Sequence, residues 1–389
     1  MVSQAKCFLM LIGACLFLMA CASDAAKSVS LTVWIPAHPN ESVFFQRLLN
    51  RYQQRHPQVH LKLVQVPFEV MKPRFVGEAQ PKREPDILLM PNDWTGELSH
   101  AKLLQPQQAS TQDFLAPALA AFRYQDTLYA LPLSFQVAAL IRNQDLVPKA
   151  PSTWDEVKTV SQALQRQGHQ GLMYDTKSFY YHAAWFHAFG GHLTPQGARI
   201  QISPVPLQQS LNFVRDLEHA QLIAPRASYS VMTHLFNAGQ LGMMVSGPWA
   251  LSEARRNQLK VAVSPLPTLP KGMKPRPFLG AKGWGLNAYS RHSHTASELI
   301  RWLSSLEVQQ EMLNTLDELG SHPALYQHKA LSPEKQGFFL QAQTAVPLPN
   351  HPAMKNIWAE LNWTLSQTLS TQRPTAAIVT EAMKRLQRL

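Results

Sequence analysis

Cysteine is almost missing from this 389-residue chain: the three present, Cys7, Cys15 and Cys21, all lie in the first 21 positions. Downstream of Cys21 that absence excludes disulfides, zinc–thiolate sites, iron–sulfur clusters and a cysteine nucleophile. Long apolar runs are also absent beyond the first twenty residues, so no later segment offers the roughly 18 consecutive apolar residues of a membrane-spanning helix. Catalytic signatures are scarce. None of the fifteen histidines is followed by glutamate, which removes the H-E-x-x-H zinc helix, and there is no G-x-S-x-G elbow and no P-loop. Ser99-His-Ala-Lys102 and Ser332-Pro-Glu-Lys335 fit S-x-x-K, but K-T-G and S-D-N are lacking. Gly280-x-x-Gly283-x-Gly285 runs into Leu-Asn-Ala-Tyr-Ser rather than a helix start, so it is no nucleotide loop. His182, His187 and His192 recur at intervals of five, about 140° apart on a helix, which suits structural or surface roles rather than one metal. No metal and no cofactor is expected.

What is present begins with the export signal. Lys6 precedes an almost wholly apolar stretch over residues 7–20, too short to span a bilayer as a helix of about 20 residues. Leu18-Met19-Ala20-Cys21 resembles the lipobox of bacterial lipoproteins, which makes Cys21 the lipidated first residue of the mature chain. The alternatives are ordinary cleavage after Ala22, with Ala20-Cys21-Ala22 as the site, and an uncleaved anchor. In each case the working part lies in the cell envelope, outside the cytoplasm. Residues 22–29 read as a polar tether. The remaining chain, 45% apolar overall, is long enough for two domains.

The formal charge is +11, from 36 basic and 25 acidic residues. The basic residues are scattered, without a Lys/Arg block or a nucleic-acid motif, so a solvated basic surface is expected and no nucleic acid. Such a surface can also lie against anionic headgroups.

Patterning points to an α/β chain. Leu31, Val33 and Ile35 alternate with Thr32 and Trp34 as in a strand, and Val59, Leu61 and Leu63 alternate with His60 and Lys62 in another. Between them Asn40 is placed to cap a helix with Phe45, Leu48, Leu49 and Tyr52 on one face, ended by Pro57. Residues 86–90 form a third, buried strand, and 241–246 and 260–264 two more. Thr153-Trp-Asp-Glu156 and Thr295-Ala-Ser-Glu298 are capping boxes that open helices. The Pro-rich stretch 265–277 is a loop.

Tryptophans and tyrosines cluster beside backbone breakers and small residues. Trp249 follows Gly247-Pro248, Trp284 lies between Gly283 and Gly285, and Tyr180, Tyr181 and Trp185 precede Gly190-Gly191. Glycine lets a backbone approach closely and leave a neighbouring ring facing a cavity. Flat apolar rings match the C–H faces of pyranose sugars. Any one of these rings, taken alone, fits a core position equally well.

In order along the chain, several segments resemble the extracellular solute-binding proteins of sugar ABC importers, the maltose-binding-protein-like family. They are Leu31-Thr-Val-Trp-Ile35, Glu84-Pro-Asp-Ile-Leu-Leu-Met90, Leu140-Ile-Arg-Asn-Gln-Asp-Leu146, Pro151-Ser-Thr-Trp-Asp-Glu156, Pro277-Phe-Leu-Gly280 and Pro349-x-x-Pro-x-Met354 with Trp358. The most specific is Phe236-Asn-Ala-Gly-Gln-Leu-Gly-Met-Met-Val-Ser-Gly-Pro-Trp249, where the family has F-x-x-G-x-x-A-M-x-x-x-G-P-W. The resemblance implies an α/β periplasmic-binding-protein fold of two discontinuous lobes joined by a hinge, with the ligand in the cleft between them. Lobe one is expected at 27–134 and 258–318, lobe two at 135–257 and 319–389. By position it carries Asp93 over as a ligand-binding aspartate and Tyr180, Trp249 and Trp358 as stacking rings; Trp284 joins them as a glycine-flanked ring. The chain departs from the maltose pattern at His38, Trp94, Gln136 and Met90, which replace an aspartate, an arginine, a glutamate and a tryptophan. Asp93 is then the cleft carboxylate, and no basic residue is carried into the site.

The implied function is capture of a carbohydrate, a di- or oligosaccharide, by a monomeric lipid-anchored protein, and its delivery to an ABC permease. The alternatives are capture of an anionic solute such as a glycerol phosphate diester, and an envelope glycoside hydrolase needing two carboxylates about 5–10 Å apart. Replacing Cys21 with Ser is expected to abolish fatty-acid labelling and leave a soluble or precursor-retained protein. Undiminished labelling with full membrane partition would show that the lipobox lies elsewhere.

Overall fold

The structure is a computed structural model that describes residues 28–388 apart from His38, Ala198, 224–226, Asp317 and 328–330. The expected signal sequence, Cys21, most of the tether and His38 fall outside the described residues. Among the described residues no helix is long and apolar enough to cross a membrane.

Two mixed sheets organise the chain. In order, its strands are β1 (Val29–Pro36), β2 (Val59–Val66), β3 (Ile87–Pro91), β4 (Arg123–Tyr124), β5 (Thr127–Leu128), β6 (Ala130–Val137), β7 (Ala139–Asn143), β8 (Gln170–Met173), β9 (Leu193–Gln196), β10 (Arg199–Ile202), β11 (Leu241–Ser246), β12 (Val261–Ser264), β13 (Phe278–Leu286) and β14 (Val346–Pro347). The first sheet runs β2–β1–β3–β13, with β6 and β14 also paired to β13. Its β1, β2 and β3 are parallel, and β13 runs antiparallel to both β3 and β6. The second sheet runs β12–β7–β11–β8. Two small hairpins, β4–β5 and β9–β10, stand apart.

The chain passes from the first sheet to the second at Ala138, between β6 and β7. It returns through 265–277 and touches the first sheet again at β14. The expected segment 258–318 therefore contains a strand, β12, that pairs in the second sheet. Conversely Leu319 and Ser321, expected with the second lobe, hydrogen-bond to Phe135 and Leu133 of β6.

Most elements form where the sequence places them, for local reasons. The helix Trp154–Arg166 is capped by Thr153, whose hydroxyl accepts from the Glu156 amide, while the Glu156 carboxylate accepts from the Ser152 amide. The helix Pro39–Arg55 starts one residue before Asn40 and buries Phe45, Leu48, Leu49 and Tyr52 as the periodicity requires. One expectation changes. The helix Ser293–Leu303 opens two residues ahead of Thr295 and has no side-chain cap, although Ala296, Leu299, Ile300 and Leu303 form its buried stripe. In β1, Leu31 through Ile35 are all buried, as in a strand inside a parallel sheet with both faces covered.

Of the three spaced histidines, His192 is exposed, and His182 and His187 are buried in the helix Phe179–Ala188. The Ser210 hydroxyl donates its one proton to the Leu207 carbonyl, so His182 Nε2 must donate to Ser210 Oγ (3.1 Å), and Nδ1 faces the Tyr174 hydroxyl. His187 Nδ1 donates to the Arg276 carbonyl at 2.7 Å. Burial holds both rings neutral, lowering His182 to about 3 and His187 to about 4. The unfolded chain takes up these protons near pH 6.5 and the folded chain does not, so stability falls as pH drops from about 6.5 toward 4. The urea midpoint is expected to fall between pH 7 and 5, and to fall less steeply in His182→Leu. An unchanged slope in that variant would remove His182 from the account.

Candidate functional site

A cavity of about 650 Å³ opens between the two sheets. On the first-sheet side it lies outside the carboxyl ends of the parallel strands β1 and β3, at Pro36-Ala37 and Met90–Asp93. Open α/β sheets place ligands at such ends. On the other side it is walled by Tyr180, at the start of the helix Phe179–Ala188, and by Trp249, just after β11.

The floor is β13 beside β6, with Gly280 opposite Gln136. A Cβ added at Gly280 would meet nothing within 4 Å, so the floor is open there. Asn92, 1% exposed, fixes the rim: its amide donates to Leu348 O (2.8 Å) and its side-chain oxygen accepts from Ala281 N (3.0 Å). That ties the end of β3 to β13 and to the stretch that follows β14. Asp93 follows at the exposed edge, where surrounding protein still desolvates its carboxyl enough to raise its pKa against the pull of Lys72.

Trp249 takes its pose from Gly247. Any Cβ at position 247 would fall about 2.1 Å from the indole, so only glycine lets the ring lie back over the backbone. The ring remains 36% exposed and neighbours half-buried Tyr180 at 6.4 Å. Behind Tyr180 come Phe278 at 6.4 Å and then Trp358, edge-on to Phe278 at 5.6 Å.

Of the residues singled out in the sequence, Met90, Asp93, Gln136, Tyr180 and Trp249 line this one cavity. Trp358 does not; it packs two rings behind it. Trp284 is corrected outright. Its indole is 0% exposed, edge-on to Phe45 at 5.2 Å in the first-sheet core, on β13 where that strand pairs with β3 on one side and β6 on the other. Trp94 is likewise buried, 6% exposed beneath Phe68, and does not line the cavity.

Among the lining residues that the sequence did not single out are Glu41, Phe68, Asn92 and Lys282. The expectations of no basic residue and of a lone carboxylate are thereby corrected. Lys282 Nζ donates to Glu41 (3.0 Å) and to Glu318 (2.7 Å). Burial alone would push the ammonium toward neutrality, but the two carboxylates outweigh it and raise its pKa. Burial raises Glu41, whereas Lys282 and hydrogen bonding hold Glu318 below the usual carboxylate range against the same desolvation. A polar residue at position 282 among Gly, Ala and Trp was the available sign. Among the described residues no cluster of His, Cys, Asp or Glu could hold a metal ion.

Two sheets with a ring-lined cavity at their strand ends define a binding receptor of the periplasmic-binding-protein fold. Residues 47–337 match the family described as bacterial extracellular solute-binding protein, and the chain belongs to that family. Its members bind rather than transform their solutes, which sets the glycosidase alternative aside. A maltotriose-binding protein of Pyrococcus abyssi is 26% identical over 379 residues, covering 88% of this chain and 78% of the relative. A galactooligosaccharide-binding protein of Bacillus subtilis is 23% identical, covering 95% and 93%. A cyclo/maltodextrin-binding protein solved with maltotetraose superposes with a TM-score of 0.86 at 24% identity, covering 94% of this chain and 98% of that one.

Trp284→Ala is expected to cost about 3–5 kcal/mol, the range for emptying a buried aromatic site. Trp249→Ala, at a half-open position, should cost no more than about 1 kcal/mol. Urea denaturation of the two variants checks this, and equal losses would contradict the assignment of one ring to the core and the other to the cavity.

Proposed function

We propose that this protein captures a neutral oligosaccharide outside the cytoplasm, as a monomer held to the membrane through Cys21, and passes it to an ABC permease. The lobes would be those expected from the sequence, with β12 moving with the second and 319–321 with the first, and closure about the crossings would bury the sugar. The observation that carries this reading is that aromatic rings from both sides and polar side chains from the turn after β3, from β6 and from β13 share one cavity. Pyranose rings need both: C–H faces to stack, and hydroxyls to be matched as they leave water. The relatives named for maltotriose and galactooligosaccharides support the same class of solute.

An anionic solute fits less well. Lys282, the basic residue among those lining the cavity, already serves Glu41 and Glu318, and Asp93 adds a further carboxylate. The wall is thus acidic on balance in a chain of net charge +11.

Calorimetric titration with maltotriose and with a galactooligosaccharide tests the proposal. Binding of at least one is expected, with affinity nearly constant from about 20 to about 500 mM salt, since neutral hydroxyls gain nothing from an unscreened field. Trp249→Ala is expected to weaken it about tenfold or more, as removal of a central aromatic contact does. A tenfold loss on adding salt would favour an anionic solute instead.

A further inference from the structure

Phe68 is an exposed ring in an unexpected place. It begins the helix Phe68–Glu78, directly after Pro67, and is 48% exposed. One face lies against the Trp94 indole, with centroids 5.3 Å apart and planes 26° from parallel. It lines the cavity on the first-sheet side, across from Tyr180 and Trp249. A large ring left half in water costs stability unless something covers it, and here its partner indole is already 6% exposed and needs no further lid. The position that would carry a tryptophan by family resemblance holds Met90, which is fully buried and offers no flat face.

We propose that Phe68, held face-on by Trp94, is a specificity-determining stacking platform that receives a pyranose ring from the first-lobe side, opposite Tyr180 and Trp249. Trp94 acts through Phe68 as a positioning residue: its indole fixes the plane of the phenyl ring, and its N–H and faces stay out of the cavity. Pro67, with φ of −53°, restricts the backbone that aims the ring. Rings on both walls select a solute with two apolar faces, which a pyranose presents and a flexible polyol or diester does not. This inference rests on the carbohydrate reading above.

The test uses the purified protein with maltotriose and a galactooligosaccharide as probes, measured for wild type, Phe68→Ala, Phe68→Trp and Trp94→Leu. Phe68→Ala is expected to lose about tenfold or more in affinity with its melting temperature nearly unchanged, because the ring is half exposed. Phe68→Trp should restore binding, since any flat ring serves. Trp94→Leu should weaken binding through a loosened Phe68, and adding Phe68→Ala to it should produce little further loss. If wild type binds and Phe68→Ala binds equally well, the platform is refuted and the carbohydrate reading stands. If Phe68→Trp fails to rescue, the phenyl ring is not acting as a stacking face and the inference falls. If wild type binds neither probe, the carbohydrate reading fails and this inference with it.

Discussion

The cavity depends on one buried amide. Asn92 sits at the end of β3, accepts from Ala281 on β13 and donates to Leu348 in the segment after β14, joining stretches that lie 189 and 256 residues away in the chain. Ala281 is buried, so removing the amide leaves its N–H unsatisfied, a cost of about 1–3 kcal/mol. Because the same residue precedes Asp93 and supports the 3-10 turn Asn92–Trp94, the position of the acid and of the Trp94 indole follows from it. Asn350 repeats the device farther out, donating to Ala121 O and Arg123 O. The crossing segment is thus stitched to the first sheet by side-chain amides more than by strand pairing, which β14 supplies over two residues only.

Electrostatics inside the cavity run opposite to those of the whole chain. The chain as a whole carries a formal charge of +11. Within, Lys282 is held between Glu41 and Glu318, with the three groups contributed by β13, the first turn of the helix Pro39–Arg55 and the stretch after the helix Leu306–Thr315. The half-buried Lys282 ammonium is engaged by the two carboxylates and leaves no positive charge for an anion. The arrangement gives a rigid polar wall beside apolar rings, the combination that suits an uncharged, hydroxyl-rich solute.

The tryptophans show where reading a sequence stops. Trp249 and Trp284 both stand near glycines, and the sequence offers no reason to separate them. Gly247 is there to admit the indole of Trp249 over its own backbone, while Gly283 is there to admit Phe122 and the Leu131 carbonyl from neighbouring elements. The same residue type makes room for opposite purposes, and only the neighbours tell which. Phe68 was invisible for a related reason: a lone phenylalanine after a strand reads as core until the fold brings Trp94 beneath it and leaves its other face open.

The sequence by itself determined the α/β character, the strands at β1, β2, β3 and β11 and the cap at Thr153, and by family resemblance it placed Asp93, Gln136, Tyr180 and Trp249 as candidates that line one cavity. Those features are local, set by hydrophobic periodicity and turn chemistry within a dozen residues, or carried by a motif as short as Gly247-Pro248-Trp249. Tertiary structure alone decided that β12 joins the second sheet, that Trp284 and Trp94 are buried, and that Lys282 finds Glu41 and Glu318. Each of those outcomes is set by contacts between residues from tens to more than two hundred positions apart, and burial, hydrogen-bond satisfaction and charge pairing at such distances leave no periodic trace in the chain.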